Sequence, residues 1–156
     1  MTSDNDRSKV LHARDFRWEA VPVREYKSEG TTTFRDITRQ TLIGEGEDER
    51  APGFVTRYFE IQPGGYSTLE YHAHPHSVVV LRGGGQVILG DRVEPLHPHD
   101  VVYIAPHTVH QFHATGDGPL GFLCIVDRER DRPTLPDDDE VERLSRYPDI
   151  ATRLRR

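Results

Sequence analysis

Apolar and polar residues alternate along the middle of the chain in short runs that end at turns. The run FVTRYFEI (54–61) alternates and stops at a PGG turn, and the run SVVVLRGGG (77–85) ends at glycines. Further strand-like runs follow at 66–74, 86–96, 101–114 and 120–127. Within one of them, Gly90 and Asp91 form a two-residue hairpin signal. Strands this short, at this spacing, are typical of an antiparallel sandwich or barrel.

The two ends of the chain differ from this middle part. Residues 1–33 are polar with scattered apolar positions, which predicts either a flexible arm or, in part, an added edge strand. The strand runs fall within residues 34–127, which we expect to form the barrel. In the tail, residues 128–156, Asp137 can cap a short helix whose acidic first turn suits the helix dipole. Three apolar residues could dock this helix on the barrel: Leu135, Val141 and Leu144.

Composition narrows the class of protein. A chain of 156 residues is one domain by size and can bury a real core. No stretch approaches the roughly 18 consecutive apolar residues that a membrane span needs, so we expect a cytoplasmic protein without a membrane partner. Cys124 is the single cysteine, which excludes an internal disulfide and fits a reducing compartment. A net charge of −6 argues against a nucleic-acid partner.

Histidines are concentrated in one region. Eight of the nine lie between His72 and His113, and the densest group is HAHPH, residues 72–76. Alternate side chains of a strand share a face, so His72, His74 and His76 can point into one cavity. Imidazole is the commonest metal ligand in proteins, and three on one face favour a divalent cation. The alternative is a solvated polar strand face.

Two segments resemble the two motifs of the cupin superfamily. They are GYSTLEYHAH with the following VVVLRGGG, and HDVVYIAPHTVHQF further along the chain. The resemblance covers roughly residues 54–127. It implies an all-β fold, a single jelly-roll antiparallel β-barrel with a metal inside, to which the tail adds a short C-terminal helix.

The resemblance also implies a set of metal ligands. His72 and His74 match the paired histidines of the first motif, and His110 matches the histidine of the second. The acidic ligand of the family has no match here; the frame set by VLRG places His76 at its position, through a loop shortened by two residues. The alternative for His76 is a pocket residue. Residues that stand where the second motif has Gly, Pro, Gly and Asn are His99, Ala105, His107 and Ala114.

Other residues are candidates for the pocket around the metal. Strand parity places Glu70 on the face of His72, where a carboxylate could act as a catalytic general base or orient a ligand imidazole. The alternative for Glu70 is a rim position facing solvent. We expect Phe112 to form an apolar wall and Cys124 to pack as a small buried group. His107 could reach the pocket mouth, and the histidines expected to be structural or solvated are His97, His99 and His113.

A histidine-only site has chemical consequences. Neutral ligands leave the full charge of the ion in place, which favours an anionic substrate or hydroxide, and nitrogen suits Fe, Zn, Ni or Cu, with Fe or Zn favoured. Three or four imidazoles leave positions open for a substrate. We therefore expect a mononuclear metalloenzyme of oxygenase, lyase or isomerase type that acts on a small molecule. The alternative is a non-catalytic ligand-binding or sensing cupin. The resemblance further implies a homodimer.

Overall fold

The computed structural model describes residues 6–27 and 33–156, and their regular structure is dominated by antiparallel strands. The remainder of the N-terminal arm predicted above lies outside the described residues. The strands are β1 (Ala13–Arg14), β2 (Arg17–Trp18), β3 (Arg24–Glu25), β4 (Arg35–Ile43), β5 (Phe54–Tyr66), β6 (His76–Arg82), β7 (Gly85–Leu89), β8 (Arg92–Leu96), β9 (Val101–Ile104), β10 (His110–Ala114) and β11 (Leu120–Asp127). The helices are α1 (Asp138–Leu144) and α2 (Pro148–Ala151). The predicted all-β fold with a short C-terminal helix is confirmed.

One curled sheet carries the fold. Its strands run in the order β8–β7–β10–β5–β11–β6–β9, with β4 paired to β5 and β3 paired to β4. Strand β5 has 13 residues; it pairs with β4 and β11 along much of its length and with β10 at Tyr66. It therefore joins two layers that curl toward each other around the core. The core includes Ile37, Phe59, Val78, Val80, Phe112, Leu120 and Phe122.

Turn conformations account for two departures from the family motif. The predicted hairpin is present between β7 and β8, with Gly90 at a φ of +65°. His99 and His107 have φ values of +74° and +64°, in the left-handed region that glycine adopts without strain. Both stand where the second motif has glycine, so the turns are retained although the residues differ. The backbone N–H of His107 donates to the carbonyl of His72, which ties this turn to the histidine cluster.

The N-terminal segment covers the outer face of β5. Trp18 packs on Tyr58 with ring centroids 4.9 Å apart, and Arg17 lies 3.2 Å from the carboxylate of Glu60. Burial alone would raise the pKa of Glu60, but hydrogen bonds from Arg17 and Tyr58 lower it. Strand β3 adds to the edge of the sheet beside β4. This segment thus adds a cationic partner to a buried carboxylate that Tyr58, Gln62 and Arg82 also contact.

The C-terminal tail packs against the barrel through its helices. The Asp137 side chain accepts a hydrogen bond from the backbone N–H of Glu140 at 2.9 Å, as the predicted cap requires. Leu144 and Ile150 are fully buried. The prediction for Leu135 is wrong, since it is 55% exposed while the neighbouring Pro136 is buried. Within the described residues, the helices are too short and polar to cross a membrane.

Candidate metal centre

A cavity of about 530 Å³ lies between the two layers of the barrel. Four histidines from three parts of the chain line it: His72, His74, His76 and His110. His76 begins β6 and His110 begins β10, whereas the chain bends at Ala73 and His74. The expectation that His72, His74 and His76 share one face of a strand is therefore wrong, because the run predicted at 66–74 leaves β5 at Tyr66 and β6 begins only at His76. The bend, rather than strand alternation, directs these imidazoles into one cavity.

His72 and His110 present the same ring nitrogen to the cavity. The Nδ1 of His72 lies 2.7 Å from the carbonyl of His74, and the Nδ1 of His110 lies 2.9 Å from the carbonyl of Thr108. A carbonyl only accepts, so each Nδ1 carries the proton and each Nε2 keeps a free lone pair. Burial, followed by repulsion from a neighbouring imidazole, lowers the pKa of His72 to about 4. Burial lowers the pKa of His110 to about 4 as well, so both are neutral at pH 7.

His74 is oriented by a carboxylate from the segment that follows β11. Its Nδ1 donates to Asp131 at 2.7 Å, and Asp131 also accepts from the backbone N–H groups of Ala73 and His74. Those backbone bonds, then the imidazole, hold the pKa of Asp131 below its usual range. A carboxylate bonded to Nδ1 fixes the ring orientation and raises the basicity of Nε2. His74 therefore has the environment of a metal ligand.

His76 lies between His74 and Cys124. Its Nε2 is 3.2 Å from the Nε2 of His74, and its Nδ1 is 3.5 Å from the Sγ of Cys124. Burial lowers the pKa of His76 strongly, and repulsion from His110 lowers it further. Burial also raises the pKa of the Cys124 thiol, which is 2% exposed, in agreement with the buried position expected for it.

The donor set fits a transition metal. One ligand atom each from His72, His76 and His110 lies within 4.8 Å of the other two. The Nε2 of His72 is buried without a hydrogen-bond partner among the described residues, and a neutral imidazole nitrogen in that state is a ready metal donor. His74, which was predicted as a ligand, is not part of this three-histidine group, although its Nε2 lies 3.2 Å from the Nε2 of His76. Three or four imidazoles suit Fe, Zn, Ni or Cu.

Glu70 lies beside this cluster. It is 5% exposed, lines the cavity and forms a β-bridge with His110. Its carboxylate accepts from the Nζ of Lys27 at 2.5 Å. The structure therefore places Glu70 inside the pocket rather than at a solvated rim. Lys27 brings an ammonium group to the same wall.

The other predicted residues divide between the cavity and the surface. Phe112 lines the cavity and stacks on Phe122 with ring centroids 4.6 Å apart, as an apolar wall should. His97 has an exposed side chain, and His99 is exposed too. His113 packs outside the cavity against Tyr66. Although His107 could have reached the pocket mouth, it is exposed and is not part of the lining.

Sequence reasoning missed several charged residues of the cavity. Lys27 and Asp131 lie 43 and 57 residues from their partners, a separation that no local pattern reveals. Arg57 carried a usable signal, because it shares strand parity with Val55 and Phe59 on the inward face of β5. A charged residue among inward apolar positions indicates a polar cavity or a buried partner.

Comparison with known proteins agrees with this fold. The cupin domain family matches residues 57–126. The 1-methylthio-D-xylulose 5-phosphate methylsulfurylase of Rhodospirillum rubrum is 42% identical over 143 residues, which cover 91% of this chain and 88% of that protein. A cupin 2 conserved barrel domain protein from Rhodopseudomonas palustris superposes with a TM-score of 0.86 at 39% identity, covering 95% of this chain and 100% of that one.

A third protein extends the comparison. A cupin 2 domain-containing protein from Halorhodospira halophila is 53% identical with a TM-score of 0.74, covering 95% of this chain and 96% of that one. The fold and the histidine cluster define a small single-domain β-barrel protein with a candidate metal centre. The chain belongs to the cupin family, as the resemblance of its two motifs predicted.

Asp131→Ala is expected to lower the affinity for a divalent metal by roughly 10- to 100-fold, the usual cost of losing a residue that orients a ligand. The substitution removes the acceptor of the His74 Nδ1–H and frees the ring to rotate. Competition titration against a chelator measures the effect. Asp117→Ala, at an exposed turn, is the control and should bind metal like the parent. Equal affinity in the two variants would show that Asp131 does not orient a ligand.

Proposed function

We propose that this chain is a metal-dependent enzyme that acts on a small phosphorylated sugar at the histidine cluster. The observation that carries the proposal is the convergence of four imidazoles in an open cavity beside a buried carboxylate. A site that only had to hold a structural ion would close around it, whereas this one borders about 530 Å³ of space.

The residues proposed to hold the ion are the four histidines, with one divalent transition metal per chain and Fe or Zn favoured. When bound, the metal would supply a Lewis acid for a carbonyl or hydroxyl oxygen of the substrate. His72 and His110 are neutral at pH 7, and the Nδ1 atoms of His72, His74 and His110 are occupied by hydrogen bonds, so Nε2 is the nitrogen that each can offer to a metal.

Glu70 is the proposed general base. Its carboxylate lies in the cavity wall next to His110, where it can accept a proton from a carbon or hydroxyl group of the substrate. Lys27 donates to the same carboxylate and holds it in place. Phe112 and Phe122 cover the inner end of the cavity and exclude water from the reacting atoms.

The proposed substrate comes from the curated relative. That protein is named for 1-methylthio-D-xylulose 5-phosphate, and it is similar to this chain over nearly the full length of both. A methylthio ketose phosphate has oxygen atoms that a metal can bind, and its phosphate gives it an anionic end. The alternative of a ligand-binding or sensing cupin is less well supported, because the relative is named as an enzyme.

The test combines metal content with turnover. Protein purified gently should hold close to one transition metal per chain by elemental analysis. After reconstitution with Fe(II), Zn(II), Ni(II) or Cu(II), at least one form should consume 1-methylthio-D-xylulose 5-phosphate. The proton NMR signal of the methylthio group measures this consumption. Chelation should abolish turnover. Metal-loaded protein that binds this compound and leaves it unchanged would support the sensing function instead.

A further inference from the structure

Five arginines line the same cavity beyond the histidines, and three of them are partly buried: Arg39, Arg57 and Arg130. We propose that these three arginines form an anion subsite that binds the phosphate group of the substrate. The inference rests on the proposed function, because it assigns a subsite for that substrate. The subsite would be a second binding element of the cavity, separate from the metal ligands.

The sheet register brings two of these arginines together. Arg39 on β4 lies opposite Phe59 on β5. The pair formed by Thr41 on β4 and Arg57 on β5 is two positions away in the same ladder. Residues that oppose each other in an antiparallel pair share a face, so Arg39 and Arg57 are diagonal neighbours on the inward face. Arg130 approaches from the segment that follows β11 and lines the same cavity.

Arg39 and Arg57 lack carboxylate partners, whereas Arg130 donates to the backbone carbonyls of Asp127 and Arg128. The Nε atoms of Arg39 and Arg57 are buried without a hydrogen bond, and neither side chain pairs with a carboxylate of the described residues. A buried donor that makes no hydrogen bond is costly. Phosphate oxygens match the planar fork of arginine and would satisfy these donors.

The charges around the arginines favour an anion as well. Two of the carboxylates that line the cavity are already bonded, Glu70 to Lys27 and Asp131 to His74. The third, Glu45, is exposed. Burial lowers the pKa of Arg130, and repulsion from Arg57 lowers it further. A dianion placed among these cations would relieve that repulsion.

Short contacts connect the subsite to the metal centre. The Nη2 of Arg57 lies 3.4 Å from the Sγ of Cys124, and that sulfur lies 3.5 Å from the Nδ1 of His76. The Arg57 guanidinium also stacks over the Phe59 ring at 5.0 Å, which fixes its direction. A small sugar phosphate can therefore reach the histidines with its oxygen-bearing end while its phosphate contacts the arginines.

The test is calorimetric binding of ribose 5-phosphate, ribose and inorganic phosphate to the metal-loaded full chain. We expect both phosphates to bind and ribose to bind far more weakly. Arg39→Gln, Arg57→Gln and Arg130→Gln should each weaken phosphate binding by roughly 10- to 100-fold, since each removes a charge-assisted hydrogen bond. The matched control is Arg92→Gln, which removes the same charge at an exposed position outside the cavity. It should bind like the parent.

The outcomes separate this inference from the proposed function. Arginine-dependent phosphate binding without turnover of the methylthio sugar would support the subsite and overturn the proposed reaction. Turnover together with unchanged phosphate binding in all folded arginine variants would overturn the subsite alone. If chelation of the metal releases the phosphate and the arginine variants bind phosphate like the parent, the phosphate is bound at the metal. That result would also overturn the subsite. If Arg57→Gln fails to fold, Arg39→Gln and Arg130→Gln decide the question.

Discussion

His76→Ala is expected to lower the affinity for a divalent transition metal about as much as His74→Ala, by roughly 10- to 100-fold or more. The two Nε2 atoms lie 3.2 Å apart and border the same space, so each substitution leaves one ligand position to water. His72→Ala and His110→Ala should cost at least as much, because both imidazoles are buried and held in the ligating tautomer. Competition titration with Fe(II) and Zn(II) measures all four variants.

His97→Ala is the control for this series. Its side chain is 72% exposed and lies outside the cavity, so the metal affinity should equal that of the parent. Normal affinity in His76→Ala would contradict the four-histidine site and leave His76 as a pocket residue. The remaining three ligands would then keep up to three positions open, enough for a bidentate substrate and a further small molecule.

Glu70→Gln is expected to lower kcat by about 100- to 10,000-fold while metal content and KM change little. The amide keeps the size of the carboxylate and its contact with Lys27 through the carbonyl oxygen, but it cannot accept a proton from the substrate. Steady-state kinetics of the metal-loaded variant with the methylthio sugar phosphate gives the split between kcat and KM.

Glu94→Gln is the matched control, because Glu94 is a half-exposed carboxylate on β8 that pairs with Arg92 outside the cavity. Its kinetics should equal those of the parent. Parent-like turnover in Glu70→Gln would show that another group accepts the proton. If Glu70→Gln loses both the metal and the turnover, Glu70 would instead belong to the metal ligands.

Local sequence determined most of the strands and the residue types of the site, but it did not indicate β4, and most of the run predicted at 66–74 lies outside the strands. Alternation and turn residues set the strand runs, Gly90 placed the hairpin, and Asp137 set the start of α1. The high density of histidines indicated the region of the site, because few structures other than a metal site need so many imidazoles. The homodimer and the cytoplasmic location stay predictions.

Tertiary structure decided which distant residues meet at the site. Lys27 contacts Glu70, Asp131 contacts His74, and Arg39 joins Arg57 only because β4 pairs with β5 in this register. Strand alternation is a property of neighbouring residues and fixes only the face on which a side chain lies. Which strands and loops become neighbours depends on packing between segments far apart in the chain. The histidine cluster could therefore be found in the sequence. The contact of Asp131 with His74 and the grouping of the arginines beside the cluster are visible only in the folded barrel.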